Sequence, residues 1–213
     1  PGTFTINQAT RDEKDITVKN YKGVYDAASH SIEVNGTADG DKVEYSYDGG
    51  TSWSETLNQY TNVMAETTIK VRVTNPNYSN VIEKEGTVEI TPFEMTVIAN
   101  AATKNFGETD PAWTASVAPT KDGTTKPNDG FDLTYSVSCS HEEAAGTYEN
   151  AIVPTGAETQ GNYKVTYVPA TFVINQSSRP AELSITVEPY ENDYDAKAHT
   201  ITVNGKTDGD TVE

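Results

Sequence analysis

The sequence predicts an all-β fold, with sandwich modules arranged end to end as an elongated rod, and three observations carry that prediction. Short runs alternate apolar with polar residues and are rich in Val, Ile, Thr and Tyr, the pattern of a strand with one face buried and one wet. Clusters of Gly, Asn, Asp and Pro separate these runs at intervals of about 8–12 residues, the spacing of a β-sandwich. The sequence also repeats itself. TFTINQ at residues 3–8 returns as TFVINQ at 171–176, and YDAASHSIEVNGTADGDKVE at 25–44 returns as YDAKAHTITVNGKTDGDTVE at 194–213. Roughly half of the aligned positions are identical, and the offset is 168 at Phe4/Phe172 but 169 at His30/His199, so one extra residue falls at the junction. A long fixed period marks an array in which each unit is a structural module.

In residues 1–91 the strand candidates are 15–19 (DITVK), 31–35 (SIEVN), 42–47 (KVEYSY), 67–74 (TTIKVRVT) and 87–91 (TVEIT). Turns at 35–41 (NGTADGD), 47–50 (YDGG) and 75–80 (NPNYSN) lie between them, where Gly, Asn, Asp and Pro supply the backbone angles that tight turns need. A second series follows at 94–99 (EMTVIA), 113–117 (WTASV), 132–138 (DLTYSVS), 162–168 (NYKVTYV) and 171–175 (TFVIN), with a long polar loop at 118–130. The best helical stretch is SHEEAA at 140–145, one or two turns at most.

The repeat sets the boundaries. Residues 1–10 are the tail strand of a preceding module, 11–91 form module A, 92–176 form module B, and 177–213 are a truncated second copy of A. The chain is therefore expected to be a piece of a longer array. The half-copy holds only the first strands of a module, and completion by a neighbouring chain is one way to cover its inner face.

Composition narrows the function. With 32 acidic and 15 basic residues the net charge is −17, which disfavours binding to a phosphate backbone and discourages neighbouring copies from sticking. The hydrophobic fraction of 35% is low, but the apolar residues are patterned rather than scattered, which argues for small β domains and against disorder. No apolar run approaches the roughly 20 residues of a membrane-spanning helix. Cys139 is the single cysteine, so neither an internal disulfide nor a cysteine metal site can form.

Three segments of module B, in order, carry a resemblance: NFGETDPAWTASV at 105–117, AGTYENAI at 145–152 and NYKVTYVPATFVI at 162–174. Together they resemble the MBG domain of bacterial surface adhesins, whose opening reads aromatic-Gly-x-x-Asp-Pro-x-x-Thr. Module A, through GVYDAASHSIEVNG at 23–36 and IKVRVTNPNYSNV at 69–81, is similar to the Ig-like repeats of the YDG type that accompany MBG domains. It departs from them at one place, with Ala27 (and Ala196 in the copy) where that type has glycine. The resemblance implies tandem Ig-like β-sandwich modules in a repetitive protein at the bacterial surface, with no enzyme activity and no defined ligand.

The candidate sites are few. Residues 46–53 (SYDGGTSW) match the Asp-box pattern Ser-x-Asp-x-Gly-x-Thr-Trp, with Ser52 for Thr. That pattern occurs in sialidases, but such chemistry also needs a cluster of arginines, and the chain has only Arg11, Arg72 and Arg179. A hairpin turn capped by Asp48 is the reading adopted. Asp39 and Asp41, repeated as Asp208 and Asp210, are the calcium candidates, since hard cations seek clustered oxygens. His30 and His199 occupy one repeated position, expected to pack near Tyr25, and His141 stands alone without a metal-site spacing. Trp53 and Trp113 are the aromatic candidates for sugar stacking. Lysines and asparagines are plentiful, yet no motif singles out a pair for an isopeptide bond. The expectation is a stalk or spacer segment of an extracellular adhesin, with no catalytic residue and no cofactor beyond the calcium candidates. Neighbouring repeats are the first partners; the alternatives are a module that itself binds host glycan or mucin, and a subunit of an extracellular filament that self-associates through the half-copy, completed by a neighbouring chain.

Overall fold

The computed structural model describes residues 2–179, 184–206 and 210–211, and these form strands joined by turns. Six strands fall in the first part: β1 (Thr17–Lys19), β2 (Tyr21–Val24), β3 (Glu33–Asn35), β4 (Lys42–Ser46), β5 (Met64–Thr74) and β6 (Ile82–Thr91). Eight follow: β7 (Phe93–Ala99), β8 (Ala102–Asn105), β9 (Ala115–Pro119), β10 (Ser136–Cys139), β11 (Gly146–Thr155), β12 (Thr159–Gln160), β13 (Tyr163–Val168) and β14 (Ala170–Asn175). A last pair, β15 (Thr186–Glu188) and β16 (Thr202–Asn204), belongs to the half-copy.

In the first part, a four-stranded sheet β2-β6-β5-β4 faces the two-stranded ribbon β1-β3. The alternation read from the sequence is the alternation of burial: Ile69, Val71 and Val73 of β5 point into a core with Ile16, Ile32, Ile82 and Val88. Gly86 on β6 lets the ribbon come close, because a Cβ there would run into Val18 and Ile32. Gly36, after β3, turns with φ +87°, and a side chain there would meet the carbonyl oxygen of Asp15. β6 is longer than the expected 87–91. After the buried Ile82 its first half, residues 83–86, is Glu-Lys-Glu-Gly, and cross-strand charge replaces the apolar signal. Arg72 stands opposite Glu83 and Lys70 opposite Glu85, with Lys70 Nζ 3.4 Å from Glu85.

The second part holds two four-stranded sheets, β12-β13-β7-β9 and β10-β11-β14-β8. β7 runs parallel to β13, and β8 parallel to β14. Two chain segments thus pass side by side from one sheet to the other. Phe172 and Ile174 of β14, with Ile152 and Ala99, form the core between the sheets, and Trp113, Tyr148, Val137 and Cys139 pack against it. Burial raises the Cys139 thiol's pKa, so it is a small half-buried residue and a poor nucleophile. The expected helical turn at 140–145 is absent. The segment only bridges β10 and β11, and within it His141 turns inward to contacts described below. β8 escaped the sequence reading because its inward position is a lysine, Lys104.

The half-copy repeats the local structure of module A in detail. β15-β16 keeps the register of β1-β3, Thr186 facing Asn204 as Thr17 faces Asn35. His199 stacks on Tyr190 with centroids 4.2 Å apart, as His30 stacks on Tyr21 at 4.0 Å. The ring that packs on the histidine is therefore Tyr21 and not the expected Tyr25. Ala27 and Ala196 both sit in the left-handed region, with φ +65° and +58°. That conformation costs a side chain about 1–2 kcal/mol, a cost that glycine avoids. Ala27→Gly is expected to raise the stability by about 0.5 kcal/mol once glycine's greater chain entropy is subtracted, read as a higher urea midpoint.

Candidate functional site

The Asp-box segment is a turn. Asp48 Oδ1 accepts from Ser46 Oγ at 2.8 Å and from the amides of Thr51 and Ser52 at 2.9 Å, and Oδ2 accepts from Ser52 Oγ at 2.6 Å. These donors, Ser52 foremost, hold the carboxyl far below the usual aspartate range. Trp53 Nε1 donates to Gly50 O at 3.1 Å, and the Arg72 guanidinium lies 4.4 Å over the indole. Trp113 meets Phe172 edge-on at 5.0 Å. Both tryptophans are half-buried and engaged, one under a hairpin and one in the core.

Of the calcium candidates, Asp41 is taken up by Arg11. Its oxygens accept from Arg11 Nη1 at 2.7 and 2.6 Å, from Asn75 Nδ2 at 2.8 Å and from the Ala38 amide at 2.7 Å. Burial works against ionisation, yet these donors keep the carboxyl below its ordinary value. Arg11 Nη2 also donates to Gly36 O at 2.6 Å. The half-copy repeats this clamp: Arg179 bonds Asp210 and, at 2.8 Å, Gly205 O. Asp39 is exposed, and Asp208 lies outside the described residues.

The two parts meet in a continuous apolar cluster. Tyr25 and Ile90 from the first part bury themselves with Met95, Val97, Tyr163 and Val165 of the second. Asp129, on the 118–130 loop, sits at its edge. Its Oδ2 accepts from Tyr163 Oη at 2.7 Å and from Tyr25 Oη at 3.0 Å, and its Oδ1 from the Phe131 amide at 3.0 Å and from Lys126 Nζ at 3.1 Å. Burial opposes its ionisation, but the four donors hold it well below the aspartate range. Tyr163 is wholly buried, and burial together with the Asp129 carboxylate pushes its hydroxyl well above the tyrosine range. Asn162 adds a second link, accepting from the Val63 amide at 2.8 Å and donating to Asn62 at 3.0 Å. Beside the link runs an open groove of about 680 Å³, lined by Val24, Tyr25, Phe93, Lys121 and Lys164 among others.

A second polar cluster lies inside module B. Lys104 Nζ, on a side chain only 4% exposed, is 2.7 Å from Asp110 Oδ1 and 2.7 Å from Glu143 Oε2. His141 Nε2 lies 3.1 Å from Asp110 Oδ2, and its Nδ1 lies 2.8 Å from Glu142 O. The hydrogen bond to Glu142, reinforced by Asp110, raises the imidazole pKa, while the Lys104 ammonium lowers that of Asp110. Asp110, His141 and Glu143 are spaced as metal ligands could be, but the ammonium already bridges the two carboxylates. Neither this cluster nor Asp129 was singled out as a site from the sequence. Lys104 and Asp110 do flank the Phe-Gly turn of the 105–117 motif, and that proximity was the available signal.

The described residues are nearly all strand and turn, and the half-copy repeats the pairing of β1 with β3. Residues 95–173 match the family model of the MBG domain, YGX type. The match points to a surface-protein repeat. No curated protein matches the chain. Among the described residues, no helix is long and apolar enough to cross a membrane.

Proposed function

We propose that the chain is a structural spacer from a bacterial surface adhesin, an Ig-like tandem array that projects a distal binding domain outside the cell. On this reading it is neither an enzyme nor a cofactor protein. The observation that supports it most is the junction. β6 ends at Thr91 and β7 begins at Phe93, so one proline joins them, and the cluster around Tyr25, Tyr163 and Asp129 grips both sides of the link. A short link with a packed, hydrogen-bonded interface limits bending. The duplicated Arg–Asp clamp and Tyr–His stack support a module designed to recur, with neighbouring repeats as its partners.

The junction groove favours a second reading, in which the modules themselves bind host glycan or mucin. It is concave, mostly apolar and edged by Lys121 and Lys164, the features of a small-ligand site. A glycan array and a mucin-coated surface, probed with the whole chain, separate the two. The spacer reading predicts no saturable binding. Binding that is lost in Phe93→Ala with the fold intact would replace it by the second.

A further inference from the structure

Lys104 carries a buried amine that a spacer role does not require. We propose that Lys104 and Asp110 condense into an intramolecular amide, with Glu143 and His141 as the acid–base pair. The geometry places each group. Nζ already touches Oδ1 of the carboxyl it would attack, a proximity that replaces a bimolecular encounter. Glu143 touches the same Nζ and accepts its proton. His141 stands at the other carboxyl oxygen, Oδ2, where a leaving oxygen needs a proton. Among the described residues, Asp110 is the carboxylate of this pair with such a donor, and Glu143 is 72% exposed, so Asp110 is the electrophile and Glu143 the base. Trp113, Tyr148 and Phe172 surround His141, with Phe172 4.6 Å away. These rings shield one side of the cluster, and with Lys104 only 4% exposed a neutral amide is favoured over a buried ammonium.

The step balances without an oxidant or co-reactant. Glu143 takes one proton from the ammonium, and the Nζ lone pair forms the bond to Cγ. His141 protonates Oδ2, Glu143 delivers the first ammonium proton to the same oxygen, and Glu143 then takes the second nitrogen proton and returns it to the His141 ring, the groups lying within 4.8 Å of one another. The Cγ–Oδ2 bond breaks and water departs. One hydrogen stays on the amide nitrogen, and Glu143 and His141 return to their starting states. The competing cyclisation of Asp110 onto its own following amide is closed, because residue 111 is proline and has no N–H. The product would pin β8, an edge strand of its sheet, to the turn that precedes β9.

Mass spectrometry of the whole chain tests this. The protein is expected to be lighter than its sequence mass by one water. Trypsin should leave residues 85–121 as one peptide, uncut after Lys104. Lys104→Arg keeps the positive charge and the donors but lacks a nucleophilic amine, and should show the full mass. Glu143→Gln should slow closure and leave a mixture. A wild-type chain at full mass that is cut normally after Lys104 overturns the proposal. So does a water loss that persists in Lys104→Arg, since it would come from succinimide at an Asp–Gly pair.

Discussion

Phe172→Ala is expected to lower the free energy of unfolding of the second part by about 3–5 kcal/mol, whereas Phe4→Ala should change it by less than about 0.5 kcal/mol. The two residues hold the same place in the repeated TFxINQ motif. Their surroundings differ entirely. Phe172 is fully buried on β14, with Trp113, His141 and Tyr148 against its ring, while Phe4 is 89% exposed. Removing the buried ring leaves a cavity between two hydrogen-bonded sheets that the neighbouring side chains fill only in part. Urea titration followed by tryptophan emission reads this, since Trp113 lies against Phe172. Equal effects at both positions would mean that residues 3–8 are packed as 171–176 are.

Asp129→Ala is expected to cost about 3 kcal/mol and to separate the unfolding of the two parts. The carboxylate receives two tyrosine hydroxyls, one amide and one ammonium, and its removal leaves the hydroxyls of Tyr25 and Tyr163 without their acceptor in a buried cluster. Tyr25→Phe should remove only the link across the junction, and the double mutant should show coupling between them. The same hub gives a pH dependence. The folded protein holds the Tyr163 proton more tightly than the unfolded chain does. Its contribution is therefore whole below about pH 10, the unperturbed tyrosine value, and is lost as the pH rises from there toward the folded value. Thermal unfolding across that window should show a fall in stability that Tyr163→Phe lessens. One cooperative transition retained in Asp129→Ala, with an unchanged midpoint, would show that the junction does not depend on this carboxylate.

Strands whose inward positions are apolar, such as β5 and β13, were legible because burial and alternation coincide there. The Asp-box turn was legible because Asp48 and Gly50 act within a few residues of each other. The features that escaped depend on groups far apart in sequence. β8 turns a lysine inward, and its justification is Glu143, 39 residues away. Asp129 lies in a polar loop that reads as solvent-exposed, yet one of its donors is Tyr25, 104 residues earlier. The pairing of β7 with β13, and of β8 with β14, is parallel, and alternation says nothing about strand direction. The segment at 140–145 has helical composition, but His141 and Glu143 are drawn to Asp110 and Lys104, and that tertiary demand outweighs propensity.

The most direct test of the spacer reading is small-angle scattering of the chain over a concentration series, with and without calcium. The account predicts a monomeric, elongated particle whose longest dimension changes with neither. Growth with concentration would contradict it, pointing to completion of the half-copy by a neighbouring chain, and stiffening on calcium addition would place the junction's rigidity in a metal rather than in Tyr25, Asp129 and Tyr163.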